Sequence, residues 1–193
     1  MSLAQNVHRM VNRELNALAQ IRFIDEDTQV ALAQHPYLRA RKKLAGNSGL
    51  CDRARDILLN GKALSVKLEL MLAGHINEDQ DAIRDLYYAM RRRGMITRWS
   101  GWRMNMFVSG AHWHKGGIPN TPPEVVEEIF EASMSIMEDG HNYYASPYAV
   151  IKAVVHPNST LSMAIRASQH KDAEIRRAGF ERLVAIEKAK DSK

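Results

Sequence analysis

The stretch from Ala82 to Val108, AIRDLYYAMRRRGMITRWSGWRMNMFV, decides the fold, because a helical pattern runs into three arginines and a glycine and then changes period. Ile83, Leu86, Tyr87 and Met90 recur at helical spacing. Arg91, Arg92 and Arg93 complement the carbonyl end of the helix dipole, and Gly94 suits the left-handed residue just past it. Beyond Gly94, Met95 to Trp99 and Trp102 to Val108 are β-branched, aromatic and methionine-rich runs separated by Ser100-Gly101, which predicts a β-hairpin with a two-residue turn. A helix feeding a hairpin tipped with arginine and tryptophan reads as a surface that touches a polyanion.

The charge distribution sharpens this. The chain has 193 residues, is 45% hydrophobic and 25% charged, and carries a net charge of +5, values of an ordinary globular protein with a basic balance. From Leu86 to Pro123 there is no acidic residue, while Arg91, Arg92, Arg93, Arg98, Arg103 and Lys115 lie there with all three tryptophans, Trp99, Trp102 and Trp113. From Glu124 to Asp139 the sign reverses: Glu124, Glu127, Glu128, Glu131, Glu138 and Asp139 stand without a basic residue. Oppositely charged blocks attract, within a chain or between chains. No apolar run approaches the roughly 20 residues that span a bilayer, and the first residues are too polar for a signal peptide, so the expected location is the cytoplasm and no membrane partner is expected. Cys51 is the only cysteine, which excludes an internal disulfide and a multi-thiolate metal or cluster site; it is read as a small packed residue.

Upstream, residues 2 to 20 read as one amphipathic helix with Ser2 and Gln5 as a capping box and Leu3, Val7, Met10, Val11, Leu15 and Leu18 on one stripe. Asp25 or Asp27 caps a short helix through Leu32 and Ala33. Pro36 interrupts before another that ends near Ala45-Gly46-Asn47. Arg39, Arg41, Lys42 and Lys43 form a second basic cluster, read as a solvated helix face. Cys51 to Leu59 and Ser65 to Leu72 are the next two helices, broken at Asn60-Gly61 and Gly74, and Asn77 or Asp79 caps the helix that runs to Arg93.

Helix, helix, turn, helix and two-stranded wing, over about residues 50 to 108, resembles the winged helix-turn-helix family. The resemblance implies that Asn77 to Arg93 is a recognition helix and Trp99 to Arg103 a wing tip, set against duplex DNA. The first turns of that helix read Asn77, Glu78, Asp79, Gln80, Asp81, and carboxylates facing phosphates repel. Base reading then falls to Gln80, Arg84, Tyr87 and Tyr88, and most of the contact to the arginines and the wing. After a Gly- and Pro-rich connection, SGAHWHKGGIPNTPP, the segments PNTPPE (119–124), HPNST (156–160) and DAEIRR (172–177) resemble the helix caps of leucine-rich-variant and HEAT-like repeats, over about residues 117 to 190. In these, Asn, Ser, Thr or Asp caps a helix, proline suits its first turn, and apolar residues face the next repeat. The last helix, about Ala173 to Ala189, is expected to turn Ile175, Ala178, Phe180, Leu183 and Ile186 inward.

The expected fold is therefore mainly α, a winged helix-turn-helix with one β-hairpin (1–109, with the N-terminal helices) followed by a short HEAT-like or leucine-rich-variant helical stack (110–193). No phosphate loop, nucleophile elbow or zinc-protease helix is present, so no enzyme and no cofactor is expected. His112 and His114 make a His-x-His pair short of the further ligands a metal needs, so no metal is expected. The expected function is DNA-binding or DNA-associated regulation, with Arg84, Arg91, Arg92, Arg93, Arg98, Trp99, Trp102 and Arg103 as nucleic-acid-binding residues and duplex DNA as the partner. The alternative is a helical adaptor that uses the winged module and the acidic helix to bind a protein partner or a second copy of the chain.

Overall fold

In the computed structural model of the chain, residues 2–97, 101–109, 118–138 and 146–191 are described, those at 101, 102, 146 and 191 by their backbone alone. Among these residues there are twelve α-helices and no strand. The described residues divide into two compact units, one of those up to Ile76 and one of those from Asn77 onwards.

Unit 1 contains α1 (Leu3–Asn6), a 3-10 turn at Val7–Arg9, α2 (Asn12–Leu18), α3 (Glu26–Gln34), α4 (Leu38–Ala45), α5 (Asp52–Asn60) and α6 (Leu64–Leu72). The single N-terminal helix expected over residues 2 to 20 is broken in two. Ser2 and Gln5 do form their capping box, but Met10 is extended (φ −72°, ψ 143°), and the Glu14 carboxylate accepts from the Val11 N–H to start α2 afresh. Val11 is 63% exposed, so no burial holds a continuous helix through it. Further on, the caps fall where the sequence puts them. Asp25 accepts from the Thr28 N–H to open α3, and Gly74, at φ 88°, ends the turn after α6 with the His75 N–H returning to the Leu70 carbonyl. α1 packs on α3, α2 on α4, α3 on α5 and α4 on α6, so each helix rests on the next but one.

Unit 2 contains α7 (Gln80–Arg92), α8 (Gly101–Ser109), α9 (Pro123–Glu138), α10 (Ser146–Val155), α11 (Leu161–Ser168) and α12 (Ala173–Asp191). α8 packs on α10, α10 on α12, and the sequence neighbours α9 with α10 and α11 with α12 also meet. α7 ends as expected, with Gly94 at φ 65° and the Met95 N–H on the Met90 carbonyl.

The β-hairpin is the expectation that fails. Gly101–Ser109 is helical, and with no strand among the described residues the winged helix-turn-helix resemblance is overturned. The seven residues from Trp102 to Val108 alternate in a way that fits a strand, but Met104, Phe107 and Val108 are also spaced i, i+3, i+4, and all three are buried. Methionine and phenylalanine have no β-branch to disfavour a helix, and the Phe107 ring meets the buried Tyr87 ring edge-to-face at 5.2 Å. A helix, and not an exposed wing, is what buries that face.

A smaller correction concerns α12. Ile175 and Ala178 are buried as expected, whereas Phe180 is 55% exposed. The line of contact passes through Gly179, where a side chain would overlap the Ser168 backbone nitrogen at the end of α11. The two helices touch backbone to backbone there, and Phe180, the next residue, is turned outward.

Candidate functional site

The residues expected to meet DNA divide sharply in unit 2. Arg84 on α7 pairs with Asp81 on its own helix and with Glu124 on α9, and that guanidinium holds the Glu124 carboxyl below its usual range. Arg91 pairs with Glu128, and Arg166 on α11 with Glu131. The acidic helix α9 thus pairs with Arg84, Arg91 and Arg166, and of the run Arg91 to Arg93 it takes Arg91. Arg103 donates to the Met95 carbonyl and braces the turn before α8. Arg92 and Arg93 are exposed, with no partner among the described residues. Arg98 and Trp99 lie outside the described residues, as do His112, Trp113 and His114, and of Trp102 only the backbone is described.

Of the other residues expected to read bases, Tyr88 is half-buried with its ring edge-to-face on Tyr87, and Tyr87 and Gln80 are engaged within the unit. Tyr87 is 1% exposed, and burial pushes its hydroxyl up to about 12. Gln80 donates to the Asn120 side-chain oxygen at 3.1 Å, and the same oxygen accepts from Asn158 at 2.7 Å. The Asn120 and Asn158 of the expected caps are therefore cross-links between turns; Thr160 is the residue that caps α11, through the Met163 N–H.

Histidines serve the turns. The Nδ1 of His35, His156 and His170 accepts the N–H two residues ahead, at 3.1, 3.1 and 3.0 Å, just before α4, α11 and α12 begin. His156 also donates from Nε2 to the Pro119 carbonyl at 2.9 Å, so its neutral form is satisfied at both nitrogens. Burial lowers its pKa, as it does that of His75, whose Nε2 donates to the Asn47 carbonyl at 2.8 Å. Among the described residues no group of three or more His, Cys, Asp or Glu is placed to hold a metal.

Besides Arg92 and Arg93, a second group of cations that the fold leaves largely unneutralised is in unit 1, around a cavity. Arg39, Lys42 and Lys43 lie on one face of α4 at i, i+3 and i+4 spacing, with Gly46 a further turn on. They line a cavity of about 550 Å³ with Gln20, Arg22, Asn47, Ser48 and a single carboxylate, Glu69. Lys42 stands 3.6 Å from Glu69, and both Lys42 and Lys43 complement the carbonyl end of α4. Arg22, Arg39 and Lys43 have no carboxylate partner among the described residues.

Buried amides hold this cavity in shape. Asn47, 8% exposed, donates from Nδ2 to the Ala19 carbonyl at 3.1 Å and the Ile21 carbonyl at 2.8 Å, and accepts the Gly49 N–H at Oδ1. Gln29, 4% exposed, donates to the Ile24 and Gly49 carbonyls and accepts the Cys51 N–H at 2.7 Å. A side chain at Gly49 would overlap the Arg22 carbonyl oxygen. The α2–α3 loop, which carries Arg22, is thereby clamped against the α4–α5 loop. The basic cluster on α4 was visible in the sequence as a run without acids. Arg22 was not, because it reaches the cavity from a loop whose position depends on Asn47 and Gln29.

Comparison with protein-family models, with curated proteins and with solved structures finds no match to this chain. No helix among the described residues is long and apolar enough to cross a membrane.

Proposed function

We propose that the protein is a non-enzymatic, DNA-associated regulatory protein that holds nucleic-acid phosphates in the cationic cavity of unit 1. The observation that carries this reading is the convergence of Arg22, Arg39, Lys42 and Lys43 on one cavity against the lone carboxylate of Glu69. Phosphate contact needs clustered cations without internal partners, because a guanidinium already paired with a carboxylate has little affinity left for a phosphate. By that criterion Arg84 and Arg91 are structural, and of the remaining cations those on α4 and the α2–α3 loop are the ones that converge on a cavity. The next-but-one packing of helices supports reading the units as short helical-repeat stacks, and the single cysteine fits a cytoplasmic location.

The test is binding to duplex DNA titrated with salt. About four phosphate contacts give a log–log slope near −3 to −4. The charge-reversed variant Arg39→Glu/Lys42→Glu/Lys43→Glu is expected to lose most of the affinity, while Arg91→Glu/Arg92→Glu/Arg93→Glu loses less. Full retention of binding by the α4 variant sinks the proposal.

A second reading, a helical adaptor, draws on one observation. Phe180 and Val184, one turn apart on α12, are 55% and 50% exposed. Sedimentation of the protein with a stoichiometric protein partner, lost in Phe180→Ser/Val184→Ser and with no DNA retained at low salt, selects it.

A further inference from the structure

Phe23 is 84% exposed, the largest value among the exposed large apolar side chains of the described residues. One exposed ring is ordinary on a protein surface. Three features set this one apart. Its face is stacked by the Arg22 guanidinium at 5.1 Å from the ring centroid, and Arg22 is itself a lining residue of the cationic cavity. The loop that carries both is fixed by the buried amides of Asn47 and Gln29 and by the close approach of Gly49. Ile21, on the same loop, is also 51% exposed. Together these place an exposed aromatic ring, on a loop whose backbone is held, beside a cluster of cations with a single carboxylate among them.

We infer that Phe23 and the cavity of Arg22, Arg39 and Lys43 form one site for single-stranded nucleic acid, with a phosphate among the cations and a neighbouring base stacked on the free face of the ring. This rests on the phosphate reading of the cavity and adds the partner's strandedness. In a duplex the bases are stacked inside and only phosphates reach the surface, so a platform at the cavity rim has nothing to stack on. A single strand offers both groups to one short stretch of protein. Every base has a π-face, so the site is tolerant of sequence. Arg22 on one face of the ring and a base on the other make a three-layer stack, in which the cation is already in place before the ligand arrives.

The experiment measures fluorescence anisotropy of two labelled probes, an oligothymidine of about 20 nucleotides and a duplex of the same length, over about 50 to 200 mM salt. The full chain is expected to bind the single strand about 10-fold more tightly than the duplex. Phe23→Ala, a surface change that leaves the fold intact by circular dichroism, is expected to weaken oligothymidine binding about 10-fold and leave duplex binding unchanged. Phe23→Trp is expected to keep the single-strand preference. Arg39→Glu/Lys43→Glu weakens both probes and flattens both salt slopes. If the parent binds both probes equally and Phe23→Ala changes neither, the single-strand inference falls while the phosphate reading stands. If neither probe binds at about 50 mM salt, both fall.

Discussion

Two arginine-rich regions of this chain have opposite fates. On α7 the arginines face an acidic helix, and Arg84 and Arg91 close ion pairs with Glu124 and Glu128. On α4 and the α2–α3 loop, a less conspicuous group of cations meets one carboxylate and stays largely unpaired around a cavity. The denser run of positive charge in the sequence is thus the one that the fold partly neutralises, at Arg91, while Arg92 and Arg93 stay exposed. Charge density along a chain measures the supply of cations, and availability to a ligand depends on which carboxylates the fold brings opposite them.

The comparison can be broken most forcefully at Tyr87. As a core residue it should cost about 3–5 kcal/mol when changed to Ala, seen as a large drop in the urea midpoint. A folded, stable Tyr87→Ala variant that lost nucleic acid would instead return α7 to the binding surface. Gly49→Ala is the counterpart in unit 1. It forces a methyl against the Arg22 carbonyl, and a loss of about 3 kcal/mol with weakened binding to nucleic acid is expected from thermal melts and anisotropy together. Asn47→Ala removes three hydrogen bonds from a buried amide and should cost about 2 kcal/mol. Asn47→Asp keeps the shape but leaves the Ala19 and Ile21 carbonyls facing an acceptor, and is expected to be no better.

A gentler probe is acid. His75 and His156 have folded pKa values lowered mainly by burial, with Arg55 and Arg182 pushing the same way against the hydrogen bonds to Asn47 and Pro119. Their contribution to stability is whole above the unfolded value of about 6.5 and is lost as pH falls through that value toward the lower folded ones. Urea midpoints measured downward from pH 7.5 should fall in that window, and His156→Gln should flatten the fall. The smallest effect belongs to the ion pairs. A double-mutant cycle on Arg91→Ala and Glu128→Ala should return a coupling of about 1 kcal/mol or less, which high salt erases. A much larger coupling would mean that α7 and α9 depend on their charges for cohesion, and that the neutralised region is more than a surface arrangement.

Much of this fold was legible in local chemistry. Asp25, Asp79, Gly74 and Gly94 mark helix ends with side chains and backbone freedom that need no tertiary information, and each is found where the sequence places it. Trp102 to Val108 was not legible, because over seven residues a period of two and a period of 3.6 select overlapping sets, and only the burial of Phe107 against Tyr87 separates them. Phe180 is a different case. Ile175, Ala178 and Gly179 are spaced i, i+3, i+4 and are buried, whereas Phe180, two residues past Ala178, falls outside that stripe, so its apolar character and not its spacing suggested an inward position. In the candidate site, Arg39, Lys42 and Lys43 could be seen as a cluster, while Arg22 and Phe23 depend on amide cross-links between loops about 20 or more residues apart in the chain. Long-range polar contacts of that kind leave no periodic trace.

The backbone contact at Gly179 has a consequence for the order of events in folding. α11 and α12 are neighbours in sequence, so bringing them together closes only a short loop. Where they touch at Gly179 there are no side-chain rotamers to immobilise. Early formation of this hairpin is the expectation for unit 2, with Gly179→Ala slowing refolding as much as it lowers stability, and with the amides around Ala167 and Ser168 among the slowest in the unit to exchange their hydrogens.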